Sequence, residues 1–194
     1  MIGSHNSFTY LKAVNGNIYN NFASFWRCQD KSIQEQYDSG VRFFDVRVTD
    51  EVYKNKTMWR VCHGKVNVNK LFASLKIAVK TFALLGDDVK IRIIYEKGSS
   101  IDTFKDEINN VLLDYKNIIT QVFVKNNWQV LYENWNGVSL IDYSYVPFHS
   151  DKTLWENLKN ISLSSIKKWA EKHNPQITDE MINDKTTIYF MDFV

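Results

Sequence analysis

The sequence predicts an α/β protein in which parallel strands are joined by crossover helices. Residues 41–48, 89–96 and 187–193 are rich in branched and aromatic side chains, as strands are. Residues 71–85 and 102–115 instead repeat apolar side chains at helical spacing. Strands that alternate with helices along a chain are typical of a parallel sheet with helices on its faces, so this is the fold class that we expect.

Length and composition predict one globular domain. The chain has 194 residues, of which 44% are apolar and 24% are charged, and these are ordinary values for a protein with a sizeable core. We therefore expect a single domain over residues 1–194, and we expect a monomer. A formal net charge of +2, without any basic tract, argues against nucleic acid as a partner.

The number of cysteines and the length of the apolar runs limit which metal sites, disulfides and membrane spans we expect, and they bear on the cellular compartment. Cys28 and Cys62 are too few for a zinc spacing or a disulfide framework. No run approaches the roughly 18 apolar residues of a spanning helix, and no charged-then-apolar leader precedes the first strand. We expect a soluble protein, and secretion stays open because a removed export signal would leave the same sequence.

The central strand, residues 41–48, is the segment around which the rest of the chain is organised. Side chains alternate along a strand, so Phe43, Asp45 and Arg47 share one face while the residues between them form an apolar face. A carboxylate and a guanidinium therefore lie two residues apart on one side. Taken alone, this pattern fits a solvated strand face with an ordinary ion pair.

Two elements precede the central strand. The first residues predict a short strand that stops at His5 and Asn6, in front of an Asn-rich stretch. Ser32 and Glu35 have the spacing of a capping box, in which each side chain satisfies a free backbone donor of the other. This pair predicts the start of a helix that ends at Gly40.

A polar loop and a second strand are predicted after the central strand. The loop covers residues 50–57, and the strand covers residues 58–62 and ends at His63 and Gly64. Gly86 then supplies the stop signal for the amphipathic helix that follows.

The pattern is less regular beyond residue 119. Residues 137–143 predict a strand, and residues 155–160 and 164–173 predict helices. The aromatic run 143–149 is interpreted either as a rim loop that touches a membrane surface transiently or as a buried strand end with a turn.

Polar residues cluster at five predicted strand ends. These residues are His5 with Asn6, Asp45 with Arg47, His63, Glu96 and Asp192. In a parallel sheet or barrel the carboxyl ends of the strands lie at one edge, where chemistry collects. Two imidazoles can serve as a general base and a general acid near neutral pH, and a guanidinium can neutralise a phosphate. The set therefore predicts a site that cleaves phosphodiesters.

The same segments resemble a known family. Residues 2–7 (Ile-Gly-Ser-His-Asn-Ser), 40–47 (Gly-Val-Arg-Phe-Phe-Asp-Val-Arg) and 63–64 (His-Gly) look like successive signatures of the X-domain of phosphatidylinositol-specific phospholipase C. The likeness covers roughly the first 100 residues and returns at the last strand. It implies a distorted TIM-like (β/α) barrel, compact and with missing or irregular later strands.

The resemblance also implies roles for five residues. His5 matches the general base that deprotonates the inositol 2-hydroxyl, and His63 matches the general acid on the diacylglycerol oxygen. Asp192 looks like the aspartate that orients the first histidine, and Asp45 matches a carboxylate of the site. Arg47 stands where bacterial members have an arginine and calcium-dependent eukaryotic members have an acidic metal ligand.

Three further positions concern substrate binding. Glu96 aligns with a carboxylate near the inositol, and Asn6 is expected beside it in the binding site. Asn6 stands where typical bacterial members have an aspartate that supports the general acid. Ile94 stands where some of them have a substrate-binding lysine. These two departures bear on acid catalysis and on inositol specificity.

Three functions follow as hypotheses. The first is metal-independent cleavage of a phosphatidylinositol-like lipid or another inositol phosphodiester, releasing diacylglycerol and a cyclic inositol phosphate, without a cofactor. The second is a glycerophosphodiester or sphingomyelin type of phosphodiesterase, which would need a divalent metal held by carboxylates. The third is an inactive lipid-binding module. Arg47 argues against the second and disfavours calcium, and the intact pair of histidines argues against the third.

Overall fold

The computed structural model describes residues 1–23, 26–144 and 166–194. Within these residues nine strands form one sheet, and six α-helices accompany it. The strands are β1 (Ile2–Ser4), β2 (Val41–Tyr53), β3 (Lys56–His63), β4 (Val66–Phe72), β5 (Lys90–Lys97), β6 (Ile119–Val124), β7 (Gln129–Glu133), β8 (Ser139–Asp142) and β9 (Thr187–Met191). The helices are α1 (Asn17–Asn21), α2 (Ile33–Asp38), α3 (Leu75–Ala83), α4 (Ile101–Tyr115), α5 (Ile166–His173) and α6 (Asp179–Asn183).

The sheet is a curled half-barrel of parallel strands. Its order is β7-β6-β5-β2-β1-β9-β8, and every neighbouring pair from β6 to β8 is parallel. β7 pairs antiparallel with β6 at one edge, while β3 and β4 extend from β2 as an antiparallel ribbon. This arrangement confirms the predicted α/β fold with a distorted, TIM-like barrel. It also brings the ends of β1, β2, β5 and β9 together, because these strands are direct neighbours.

The two faces of β2 pack into different apolar clusters, as the alternation predicts. Phe44, Val46 and Val48 belong to the large cluster between the sheet and its helices, together with Phe82 of α3 and Phe104 of α4. A smaller cluster fills the inside of the curl. It contains Met1, Phe43, Ile188 and Phe190. On the inner face of β2, Phe43 therefore belongs to an apolar cluster, whereas Asp45, two residues later, is polar.

Gly3 lets three strands close around this inner cluster. It pairs with Phe43 on β2 and with Phe190 on β9. A Cβ atom at position 3 would lie 2.8 Å from Cγ2 of Ile188 and 3.1 Å from Cδ2 of Phe190. A larger residue would displace β1, and it would therefore move His5, which follows two residues later.

The predicted helix before the central strand is confirmed. In α2 the side chain of Ser32 accepts from Glu35 N, and the side chain of Glu35 accepts from Ser32 N, so the capping box is complete. Gly40 follows the helix with φ of 96°, a left-handed conformation that glycine adopts without strain.

The polar loop predicted over residues 50–57 is wrong. Residues 50–53 continue β2, and Lys54 and Asn55 make a tight turn with φ values of 49° and 60°. Asp50 stays in the strand because its carboxylate accepts from Tyr95 Oη at 2.6 Å and from Ser99 N at 2.8 Å. Consequently β3 returns antiparallel to β2 instead of joining the sheet as a parallel strand.

Three strands were missed by sequence reasoning. The predicted helix over residues 71–85 is shorter, because Leu71 and Phe72 end β4, and Ser74 caps α3 by accepting from Ile77 N. β6 and β7 lie in the segment where the pattern is less regular. A strand is confirmed within residues 137–143 as β8.

Some predictions fall partly or wholly outside the described residues. This applies to the helix at 155–160 and to residues 145–149 of the aromatic run. Of the helix at 164–173, the described part is α5. Between residues 166 and 186 the structure has the helices α5 and α6, so the described part of this region adds no strand before β9.

Candidate active site

The end of β1 and the end of β9 bring His5 and Asp192 together. β1 lies between β2 and β9, and His5 N donates to Met191 O at 2.9 Å. The His5 ring follows directly and its Nδ1 lies 2.7 Å from Oδ1 of Asp192, which is fully buried. A carboxylate can only accept, so Nδ1 carries the hydrogen and Nε2 keeps its lone pair. The pairing that the resemblance implies for these two residues is present in the structure.

Arg47 lies between His5 and two carboxylates. Its Nη2 is 2.6 Å from Nε2 of His5, its Nε donates to Asp45 Oδ2 at 3.1 Å, and its Nη1 donates to Glu96 Oε1 at 2.9 Å. A guanidinium has donors only, so Nε2 of His5 must be the acceptor. Arg47 thus contacts His5 directly at Nε2.

Asp45 is held as a carboxylate by two guanidinium groups. It is fully buried and accepts from Arg47 and, at 3.0 Å, from Nε of Arg92. Burial by itself would raise the pKa of Asp45, but attraction to Arg92 and Arg47 holds this pKa well below its usual range. In return, although burial lowers it, the pKa of Arg47 is raised overall by Asp45 and Glu96.

The contacts continue across β2 and β5 to the turn after β6 as a chain of alternating charge. We call this chain the ion ladder: Arg92, Asp45, Arg47, Glu96 and Lys125. The last ion pair of the chain joins Nζ of Lys125 to Oε2 of Glu96, at 2.7 Å. Burial would raise the pKa of Glu96, but Arg47 and Lys125 lower it overall. Each carboxylate of the ladder therefore stays ionised between two cations.

His63 reaches the site from the ribbon that β2, β3 and β4 form. Because β3 runs antiparallel to β2, its last residue returns to the level of the central strand. The rings of His5 and His63 are 6.2 Å apart between centroids and lie at 74° to each other. The predicted convergence of the two histidines is confirmed, and the gap between them is comparable to the size of a phosphate group.

The surroundings of His63 differ from those of His5. Nδ1 of His63 donates to the backbone carbonyl of Trp26 at 2.6 Å, which leaves Nε2 for the cavity. Burial, the charge of Arg47 and the neighbouring His5 lower the pKa of His63 to about 4. His63 is therefore a neutral imidazole at neutral pH as long as no anion binds beside it.

Asn6 is placed behind His5 and does not face the cavity. It is only 2% exposed, and its Nδ2 donates to Nε2 of His5 at 2.9 Å and towards Sγ of Cys28 at 3.5 Å. Asn6 therefore contacts His5, and Glu96 contacts Arg47. The expectation that Asn6 and Glu96 bind substrate stays a prediction.

A cavity of about 420 Å³ opens in front of the two histidines and Arg47. Its other lining residues are Arg92, Ile94, Phe123, Lys125, Trp128, Asp142, Ser144 and Phe190. Sequence reasoning missed Arg92 and Lys125. The strand alternation that placed Glu96 at the site also puts Arg92 on the same face, so this signal was present in the sequence. Lys125 follows β6, a strand that was not predicted.

One possible metal-ligand set occurs among the described residues. Ligand atoms of His5, Cys28 and Asp192 lie within 4.8 Å of one another. A thiolate would be needed there, but burial, followed by the charge of Asp192, raises the pKa of Cys28 well above its ordinary value. A cation bound there would therefore have to displace the proton of Cys28. No helix in the described ranges is long and apolar enough to cross a membrane.

A curled parallel sheet that carries two histidines and an arginine at its carboxyl edge defines an α/β barrel protein with a two-histidine site. Neither a family model nor a curated protein matches the sequence. Solved structures do match. The phosphatidylinositol-specific phospholipase C of S. aureus is 17% identical, with a TM-score of 0.60 over all of this chain and 85% of the other.

The corresponding enzyme of Listeria monocytogenes gives the same result. It is 15% identical, with a TM-score of 0.60 over all of this chain and 87% of the other. A mutant of the S. aureus enzyme aligns equally well, with 16% identity and a TM-score of 0.60 over 85% of its length. The chain therefore has the fold of bacterial phosphatidylinositol-specific phospholipases C, as the sequence motifs suggested.

Proposed function

We propose that this protein is a phospholipase C-type phosphodiesterase that cleaves phosphatidylinositol-like lipids by intramolecular attack. The observation that carries the proposal is the placement of two imidazoles 6.2 Å apart with a guanidinium against one of them, all lining one cavity. The solved enzymes that share the fold are named for the same lipid, which supports this choice of substrate.

In the proposed reaction, bound substrate draws the guanidinium of Arg47 and the amide of Asn6 away from Nε2 of His5, which then takes the proton of the inositol 2-hydroxyl. That oxygen attacks phosphorus. The bond from phosphorus to the diacylglycerol oxygen breaks, and His63 gives that oxygen a proton. The products are diacylglycerol and a cyclic inositol phosphate. Asp192 stabilises the imidazolium that forms on His5, and Arg47 meets the charge that develops on the phosphoryl oxygens.

The acid step requires that substrate binding protonates His63. A neutral imidazole cannot donate to the leaving oxygen, and the charge of Arg47 is one reason for the low pKa of His63. An anionic diester placed against Arg47 offsets that charge and adds an attraction for the imidazolium. Substrate binding therefore raises the pKa of His63. The residue can then act as the general acid at pH values where it is neutral in the free protein.

We further propose that the reaction is independent of metal. Arg47 supplies a fixed positive charge where a cation would otherwise be needed, and it can donate to two phosphate oxygens. Asp45 and Glu96, which could have served a calcium ion, each accept from two cationic side chains. A bound cation would have to displace these contacts.

Release of diacylglycerol from phosphatidylinositol vesicles, measured with and without a calcium chelator, tests the proposal. We expect equal rates in both conditions, and a loss of about 10²-fold or more in Arg47→Asp. Arg42→Gln is the matched control, because Arg42 pairs with Asp88 away from the cavity. Wild-type activity that disappears with chelator would assign the charge-stabilising role to a metal instead of Arg47.

A further inference from the structure

We propose that Arg92 and Lys125 form a second anion subsite, so that the preferred headgroup carries a phosphate in addition to the scissile diester. This inference rests on the proposed function, because it uses the same cavity. Both residues line that cavity, and they are the two ends of the ion ladder.

Arg92 lines the cavity and has donors that its contact with Asp45 does not use. Its Nε donates to Asp45, whereas Nη1 and Nη2 have no hydrogen-bond partner within residues 1–23, 26–144 and 166–194. The guanidinium carbon lies 4.5 Å from the ring centre of Phe190, which fixes the plane of the group. The side chain is only 13% exposed. A planar group with free donors, held in place and mostly shielded from bulk water, is well suited to bind an oxyanion.

The placement of the cations in the ion ladder points to the same conclusion. Three cations alternate with two carboxylates, so both ends of the ladder are cations. The scissile diester is a monoanion and uses Arg47. The ends of the ladder remain, and Lys125, whose side chain is 36% exposed, can direct its third hydrogen into the cavity.

Ile94 stands where some members of the resembled family have a substrate-binding lysine. In this chain the cation of β5 that lines the cavity is instead Arg92. It pairs with Arg47 across the strands, and it lines the cavity as an apolar side chain. Arg92 lies on the same face of β5, two residues earlier, and pairs with Asp45. The positive charge on this strand is therefore located deeper than Arg47, and it can reach the part of the headgroup that points into the cavity.

A purely structural role is the alternative. In that case Arg92 serves only to neutralise the buried carboxylate of Asp45, and its loss weakens the site equally for every ligand. A subsite predicts a loss that depends on the second phosphate. This difference can be measured without turnover.

Calorimetry should compare myo-inositol 1-phosphate with the bisphosphates that carry a second phosphate at position 3, 4 or 5. We expect the wild-type protein to bind at least one bisphosphate about tenfold or more tightly than the monophosphate. Arg92→Gln should remove most of that preference, because it should weaken bisphosphate binding more than monophosphate binding. Arg92→Lys should restore part of it. Arg42→Gln serves as the control outside the cavity.

Lys125→Met is the second variant, because this half-exposed side chain can be changed without affecting the buried carboxylate of Asp45. We expect a smaller loss of the same preference. Equal affinity for all ligands in the wild type, or equal losses for monophosphate and bisphosphate in both variants, would overturn the subsite. Binding that follows the prediction without any lipid cleavage would instead reject the proposed function and keep the subsite.

Discussion

The two histidines face one cavity, but the regions that hold them have opposite electrical character. His5 follows β1 and donates to the buried carboxylate of Asp192. His63 ends the ribbon of β3 and donates to the neutral carbonyl of Trp26, close to the charge of Arg47. One imidazole is hydrogen-bonded to a carboxylate, and the other is hydrogen-bonded to a neutral carbonyl beside a guanidinium. Under the proposed function, His63 can therefore act as the acid only when an anion is bound beside Arg47.

Asp192→Asn should have the largest effect among the changes that alter this comparison. The amide can present its NH₂ group to Nδ1 of His5, which would favour the wrong tautomer and would not stabilise the imidazolium. We expect kcat to fall by about 10²- to 10⁴-fold, a range that reaches the loss seen for triad carboxylates. Turnover is measured on phosphatidylinositol, and circular dichroism checks the fold. Unchanged turnover in a folded variant would remove Asp192 from the mechanism.

The pKa of His63 should show an effect of intermediate size. Measuring it sharpens the comparison between the two histidines. Proton NMR of the imidazole Cε1–H should give a pKa of about 4 for His63 in the free protein. We expect inorganic phosphate at saturating concentration to raise this pKa, because an anion beside Arg47 offsets one of its causes. Arg47→Gln should raise it as well. If phosphate leaves the titration of His63 unchanged, substrate binding does not convert His63 to the protonated acid.

The dependence of stability on pH should show the smallest effect. His63 has a folded-state pKa of about 4 against an ordinary value of 6.5, so between these values the unfolded chain binds the proton more readily. The part of the stability that depends on neutral His63 is therefore fully present above pH 6.5 and is lost as the pH falls towards 4. We expect the free energy of unfolding to fall by about 3 kcal/mol across this window because of this residue.

His63→Gln isolates that contribution. Urea unfolding of the wild type and the variant should be compared at several pH values between 4 and 6.5, the window set by His63. The free energy of unfolding should fall less steeply in the variant, whereas losses from Asp45 and Glu96 are common to both proteins. Parallel curves would mean that His63 is not held neutral by the fold.

The sequence was sufficient for the region around His5 because that region follows a general rule. Neighbouring parallel strands end at one edge, so His5, Asp45 and Asp192 could be expected to meet once β1, β2 and β9 were recognised. The motifs added the roles that we expect for these residues. Gly3, which allows the close approach of these strands, is part of the same motif.

The sequence was insufficient for the region around His63. Its strand was predicted to be parallel, and the polar residues before it concealed a hairpin. The residue still reached the site, because an antiparallel return brings the end of β3 level with β2. Its contact with Trp26 joins residues far apart in the chain, and no local pattern encodes such a contact. The depressed pKa of His63 arises from this packing, so it was not predictable from residue type.

The central claim is that His5 and His63 cleave the diester by attack of a neighbouring hydroxyl, without metal. Phosphorus NMR of phosphatidylinositol micelles with the wild-type protein and excess chelator tests this claim most directly. We predict that a five-membered cyclic phosphodiester appears as the first product, at the same rate with and without chelator. An acyclic inositol monophosphate as the first product, or a spectrum that stays unchanged until calcium is added, would contradict the account.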